Sequence, residues 1–269
     1  MAGQMARMYI PGVGESVIEF GGGTPFAVDA VKKFPVGTVM RLGGRTYVYS
    51  HAGGTVNPEV GAYKNKKSNT NAVAPVQATG AGVEGSYTVT VTIDTHIGVL
   101  ATGVLSENEL TGGYIVIGNG TSQHPQFRMI MSHPALTTTG GSLTLTLDSP
   151  LESDVTAATT NIELWENPYS YLLADNSGGD YVTFVGVSTV VAASGEYFWL
   201  QTWGPCWITS DGNTCDSVRD RTIVFVGNGS VLSSNDVTVE SGLQIAGVAL
   251  DTSSSGSSNG PLVMLQISP

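Results

Sequence analysis

The sequence predicts an all-β protein, made of short-stranded β-barrel or sandwich modules with an extended N-terminal arm, and three observations lead there. First, Ser86 to Asp94 and Ser142 to Asp148 alternate strictly: Tyr87, Val89, Val91 and Ile93 oppose Thr88, Thr90 and Thr92, and Leu143, Leu145 and Leu147 oppose Thr144 and Thr146. Alternation with period two is the pattern of a strand with one buried face. Second, glycine is abundant, at 35 of 269 residues, and it recurs in turn dipeptides such as Gly43-Gly44, Asn119-Gly120 and Asn228-Gly229. Third, only 12% of residues are charged, while Val, Ile, Thr and aromatic residues are frequent, which favours many short strands over disorder.

Taken in order, residues 1–33 are glycine-rich and weakly patterned, and they read as an extended arm whose contacts lie on other chains or on the outside of its own domain. Residues 34–175 form a first β module. It opens with a hairpin in which Thr38 to Leu42 and Arg45 to Ser50 flank Gly43-Gly44, a pair suited to the positive φ of a two-residue turn. Residues 51–85 are rich in Gly, Asn, Ala and Pro with little alternation, and read as a long surface excursion. The two alternating strands follow, with Tyr114 to Ile117 and Phe127 to Ser132 between them and a single helical turn at Ser106-Glu-Asn-Glu109. Asn176-Ser-Gly-Gly179 marks the internal boundary. Residues 176–269 form a second β-barrel or sandwich module, with strands at Tyr181 to Ala192, Arg221 to Val226, Val231 to Ser234, Leu243 to Leu250 and Leu262 to Ile267.

The centre of that module is Glu196 to Ile208, which holds three of the four tryptophans. Trp199, Trp203 and Trp207 recur every four residues, as on a helical stripe. Gly204-Pro205 opposes a helix, because proline removes a donor and pushes the residue before it toward extended geometry. As a strand, it places Tyr197, Trp199, Gln201 and Trp203 on one face and Phe198, Leu200 and Thr202 on the other. Neither face is polar, so the strand is expected between two packed layers or under a neighbouring subunit.

The net charge of −11 and sequence pI of about 4.6 oppose a nucleic-acid surface, which needs clustered cations. The one basic cluster, Lys64, Lys66 and Lys67, reads as a solvated loop. No apolar run approaches bilayer-spanning length, so no membrane partner is expected. Residues 1–9 lack the apolar stretch of a secretory signal. Cys206 and Cys215 are too few for a disulfide framework; they read as free, partly buried thiols, with pairing across a loop left open.

Catalytic, cofactor and metal motifs were sought, and none is expected. Gly256-Ser-Ser-Asn-Gly260 matches a nucleophile-elbow spacing but lies in a serine-rich loop instead of between a strand and a helix. His51, His96, His124 and His133 have no metal-ligand spacing. Asp175, Ser177 and Asp180 lack the full calcium-loop pattern, and read as an acidic turn. Asn119-Gly-Thr and Asn228-Gly-Ser are formal glycosylation sequons that read better as turns, and Gly12-Val-Gly14 lacks the context of a dinucleotide site. Paired carboxylates for glycoside hydrolysis meet only in space, and no pair is singled out.

Tyr197 to Ile208, Gly247-Val-Ala-Leu-Asp251, Pro261-Leu-Val-Met-Leu-Gln-Ile267 and the hairpin Phe34 to Arg45 together resemble virion structural proteins of tailed bacteriophages. The resemblance spans the final third of the chain and that hairpin, and it rests on fold-level motifs. It implies a non-enzymatic protein of the capsid decoration, or cement, type, located on the virion capsid surface after assembly in the host cytoplasm. Its partners would be the major capsid protein and neighbouring copies of itself in a homo-oligomer, with no cofactor. A tail or fibre protein is the alternative within the same group. A carbohydrate-binding module or hydrolase, stacking sugars on Trp199, Trp203 or Trp207 beside Glu196, is the alternative from another class.

Overall fold

The computed structural model describes residues 5–10, 14–19, 25–65, 76–77, 82–92, 104–119, 125–138, 141–156, 160–174, 182–211, 221–235, 243–251 and 260–269. Among these the protein is all-β. The strands are, in order, β1 (Met5–Ile10), β2 (Gly14–Glu19), β3 (Val28–Asp29), β4 (Val39–Leu42), β5 (Arg45–His51), β6 (Gly61–Asn65), β7 (Val76–Gln77), β8 (Thr88–Thr92) and β9 (Tyr114–Asn119). They continue with β10 (Gln126–Ser132), β11 (Ser142–Leu147), β12 (Thr160–Trp165), β13 (Val182–Ser188), β14 (Tyr197–Trp207), β15 (Thr222–Phe225), β16 (Val231–Ser233), β17 (Ile245–Ala249) and β18 (Leu262–Gln266). No helix among the described residues is long and apolar enough to cross a membrane.

Packing divides the chain into two compact units, Met1–Lys66 with Tyr169–Pro269, and Lys67–Pro168. The smaller unit is a six-stranded antiparallel sheet in the order β7-β12-β9-β10-β11-β8. The two alternating segments are strands with one buried face, as their pattern reads, and in the fold they pair with each other, Val89 opposite Leu145 and Val91 opposite Leu143, with these four side chains inside one apolar core. On the other face Thr90 and Thr144 share a hydroxyl hydrogen bond of 3.1 Å. Tyr87 departs from its row and is exposed, because it precedes the paired part of the strand. Ser106 to Glu109 forms a turn, not a helix. Its Ser106 N–H donates to the Glu109 carboxylate at 2.8 Å, the reciprocal contact of a helix start, but Asn108 takes φ 61° and ends the right-handed path.

The larger unit holds a twelve-stranded sheet whose main path runs β16-β15-β17-β18-β14-β5-β4-β1-β2, with β13, β3 and β6 attached beside β14. Strand β14 organises it, pairing with β5, β18, β13 and β3 along its 11 residues. Gly43 and Gly44 take φ 57° and 76°, the two left-handed conformations that a two-residue hairpin turn demands. Gly204 takes φ 91°, just beyond the shift in the β14 register against β5 between Gln201 and Trp203. A Cβ there would stand 2.5 Å from the Gly44 carbonyl oxygen, so this position needs glycine for close approach as well as for its φ.

These pairings redraw the expected boundaries. The hairpin β4–β5 belongs with the C-terminal strands and not with the rest of 34–175, since β5 pairs with β14. Residues 5–10 and 14–19 are not a loose arm: β1 and β2 pair antiparallel, and β1 extends the sheet at β4. Within the 51–85 excursion, the described stretch 51–65 contributes to the interior. Ala52, Val56, Ala62 and Tyr63 are buried, and β6 pairs with β13. Lys64 is a strand residue and not part of a solvated loop; its Nζ donates to the Ser170 carbonyl at 2.6 Å. Lys66 and Lys67 lie outside the described residues.

Candidate functional site

Strand β14 separates two apolar clusters, as the absence of a polar face requires. Trp199 packs with Met40, Leu42, Tyr47 and Tyr49 on one side. Phe198 and Leu200 pack with Ala52, Val56, Leu172 and Val185 on the other. Trp199 is edge-on to Tyr49 at 5.1 Å between centroids and tilted against Phe34 at 5.6 Å. Gln201, buried in the same strand, donates its amide to the Pro205 carbonyl at 2.9 Å and so ties the bulge. Beside this cluster the Tyr49 hydroxyl donates to Asp29 at 2.9 Å, and Asp29 also receives the Lys33 ammonium at 2.5 Å. Burial pushes the Tyr49 phenol far above its usual range.

The three tryptophans therefore have different fates. Trp199 is 3% exposed, Trp203 is half-buried, and Trp207 is 36% exposed. Glu196 does not stand beside Trp207. Glu196 immediately precedes β14 and Trp207 ends it, roughly 36 Å along an extended chain at ~3.3 Å per residue, and the Glu196 carboxylate accepts the Ala193 N–H at 2.8 Å.

Beyond the register shift, Cys206 of β14, Val263 and Leu265 of β18, and Ala246 and Ala249 of β17 are buried in the second core. Their neighbours form two outward cross-strand rows. Trp207 stands opposite Leu262, whose carbonyl accepts the Leu250 N–H at 2.7 Å. Pro205 stands opposite Met264, and Met264 opposite Val248. Trp207, Leu262, Leu250 and Val248 are all exposed to 36% or more. The sequence signalled this face only through the unbroken apolar run Ile245 to Leu250, which lacks the polar alternation of a strand with one wet side.

The remaining candidate residues resolve individually. His133 is buried; its Nε2 accepts the Leu110 N–H and its Nδ1 donates to the Pro134 carbonyl, both at 2.8 Å. Both ring nitrogens are occupied by backbone, and burial lowers its pKa. His51 packs against Tyr197 and Tyr171, while His96 and His124 lie outside the described residues. Asn228 is a turn residue whose Oδ1 accepts the Ser230 N–H at 2.9 Å. Asn119 ends β9. Gly14 begins β2, which pairs antiparallel with β1, so no phosphate-binding strand-to-helix turn forms there. Cys206 is free and buried, its thiol pushed up to about 12 by burial. Cys215, Asp175, Ser177, Asp180, Ser257 and Ser258 lie outside the described residues. No cluster of three metal-ligating side chains occurs among the described residues. No family model, curated protein or solved structure matches this chain.

Proposed function

We propose that the protein is a non-enzymatic virion structural component of the capsid decoration type, which binds the outer head lattice and neighbouring copies of itself. The observation that carries this reading is the outward face formed by Trp207, Leu262, Leu250, Pro205, Met264 and Val248. Isolated exposed apolar residues need no explanation, but contiguous rows of them mark contact surfaces. These rows contain no charged residue in a chain of net charge −11. Like-charged copies repel one another over most of their surfaces, so a charge-free patch is where they can meet at least electrostatic cost. Binding only the assembled shell would then stabilise that shell by mass action. The resemblance of β14 and its partner strands to phage virion proteins supports the same assignment.

The test joins solution mass to particle binding. Purified protein is expected to be oligomeric, and Leu250→Lys/Leu262→Lys to give monomers with a melting temperature within a few degrees of the parent. The same variant should lose occupancy on heads of the particle that encodes it. A monomeric parent whose head occupancy is unchanged by the two lysines would refute the reading.

A further inference from the structure

The six-stranded sheet of the smaller unit packs its core on one face and carries rings on the other. In β9, Ile115 and Ile117 join the core with Ile162 and Leu164 of β12 and Ile130 of β10. The residues between them face outward, because successive side chains of a strand take opposite faces and directly opposed residues share one. In register, Trp165, Tyr114 and Met129 form one outward cross-strand row, and Glu163, Val116 and Phe127 form the next. Phe127 is 58% and Trp165 46% exposed; Glu163 is exposed, and the other three are half-buried. Phe127 stacks on its diagonal neighbour Tyr114, with centroids 4.9 Å apart and ring planes 13° apart. The stack covers one face of Phe127 and holds the ring in place while leaving more than half of the residue open.

Charge separates this face from the uncharged rows of the larger unit. Glu163 is the one charged residue of the six, and no cation offsets it. Arg128, next to Phe127 in the chain, turns to the other face opposite Ile115, where it ion-pairs with Glu152 at 2.7 Å and donates to the Pro150 carbonyl at 3.0 Å. Among the described residues, the Glu163 carboxylate has no hydrogen bond and no cationic partner. A second copy would bring another such carboxylate and a net charge of −11 to this face, whereas a cation gains from both. Ring faces also attract cations through their quadrupole. A guanidinium suits the combination best, since it stacks flat on a ring and meets a carboxylate at two points.

We infer that this face binds an arginine-bearing extended segment of a different polypeptide, with one guanidinium on Glu163 against the rings of Trp165 and Tyr114 and an apolar side chain against Phe127. Glu163 is two residues from Trp165 on β12 and diagonal to Tyr114, so a cation at its carboxylate has both rings as neighbours. Glu163 and Phe127 stand two strand spacings apart, about 10 Å. Alternate side chains of an extended segment start about 7 Å apart, and the arginine stem, lying over Val116, covers the difference. The site is independent of the outward apolar face of the larger unit, and it does not require the protein to belong to a virion.

The experiment is fluorescence anisotropy of the full chain with a labelled peptide of alternating arginine and leucine, in low salt. The parent should bind saturably. Glu163→Gln should weaken binding about fivefold or more, the fold-change expected for losing one charge-assisted contact at a surface. Trp165→Ala/Phe127→Ala should weaken it about tenfold. All three side chains are exposed, so these variants should keep the circular dichroism of the parent. Glu84→Gln, which removes the same charge from an exposed position outside these three strands, should leave affinity unchanged. The assignment is overturned if the parent shows no saturable binding, if Glu84→Gln weakens binding as much as Glu163→Gln, or if Glu163→Gln and the double variant both bind like the parent. It is also overturned if a glutamine-leucine or lysine-leucine peptide binds as tightly, or if a neutral oligosaccharide such as cellohexaose displaces the peptide at equal concentration.

Discussion

Replacing Trp199 by alanine removes the largest side chain from the cluster on one face of β14. Trp199 is 3% exposed and contacts the rings of Tyr49 and Phe34. Truncating a buried tryptophan to alanine costs about 3–5 kcal/mol, because lost transfer energy adds to that of a cavity which neighbours only partly fill. Rigid strands line this cavity on the β4–β5 side, where Met40 and Tyr47 are fully buried, so collapse is limited and the upper half of the range applies. For a unit of this size each kcal/mol lowers the melting temperature by about 2–4 °C, giving a drop of roughly 8–20 °C. Trp207→Ala is the internal control, since its side chain is 36% exposed and should cost about 1 kcal/mol or less. Thermal unfolding followed by circular dichroism, with guanidinium titration to check that the slope is unchanged, measures both. Equal losses for the two variants would refute the account of β14 as an internal scaffold, as would a Trp199→Ala loss below about 1 kcal/mol.

Gly204→Ala should destabilise by about 2–4 kcal/mol in the same assay, combining a left-handed φ with a Cβ 2.5 Å from the Gly44 carbonyl; a loss under about 0.5 kcal/mol would contradict this close approach of β14 to the Gly43-Gly44 turn. His133 gives a pH signature. Burial lowers its pKa below 6.5, so the unfolded chain takes up the proton first, and its stabilisation, complete above that value, is lost as pH falls through the folded pKa. Comparing urea midpoints between pH 7.5 and 5.5, His133→Gln should show a smaller loss on acidification than the parent. In a Cys215→Ser background, Cys206 should resist an aromatic disulfide reagent at pH 8 and react at once in denaturant, because its buried thiol is held up to about 12. Rapid native labelling would contradict its place in the core.

Strand content was legible wherever one face is wet. Ser86 to Asp94 and Ser142 to Asp148 announce themselves because threonine alternates with branched apolar residues, and Gly43-Gly44 and Asn228-Gly229 because their backbone freedom suits tight turns. Long-range pairing was not legible. Gly61 to Asn65 lacks alternation because its neighbours Ala62 and Tyr63 are both buried, so the segment resembles loop until β13 is beside it. The position of β4–β5 next to β14 likewise depends on contacts separated by some 150 residues, which no local pattern encodes. Gly204-Pro205 was informative in both senses: it opposed a helix, and in the fold Gly204 takes a positive φ and Pro205 an exposed position.

The central proposal, that this protein is a virion component that covers and fastens other chains at the head surface, is tested most directly by immunogold labelling of intact particles produced by the genome that encodes it. The account predicts label distributed over the outer face of the heads. Label confined to tails, or particles carrying none of the protein at all, would contradict it.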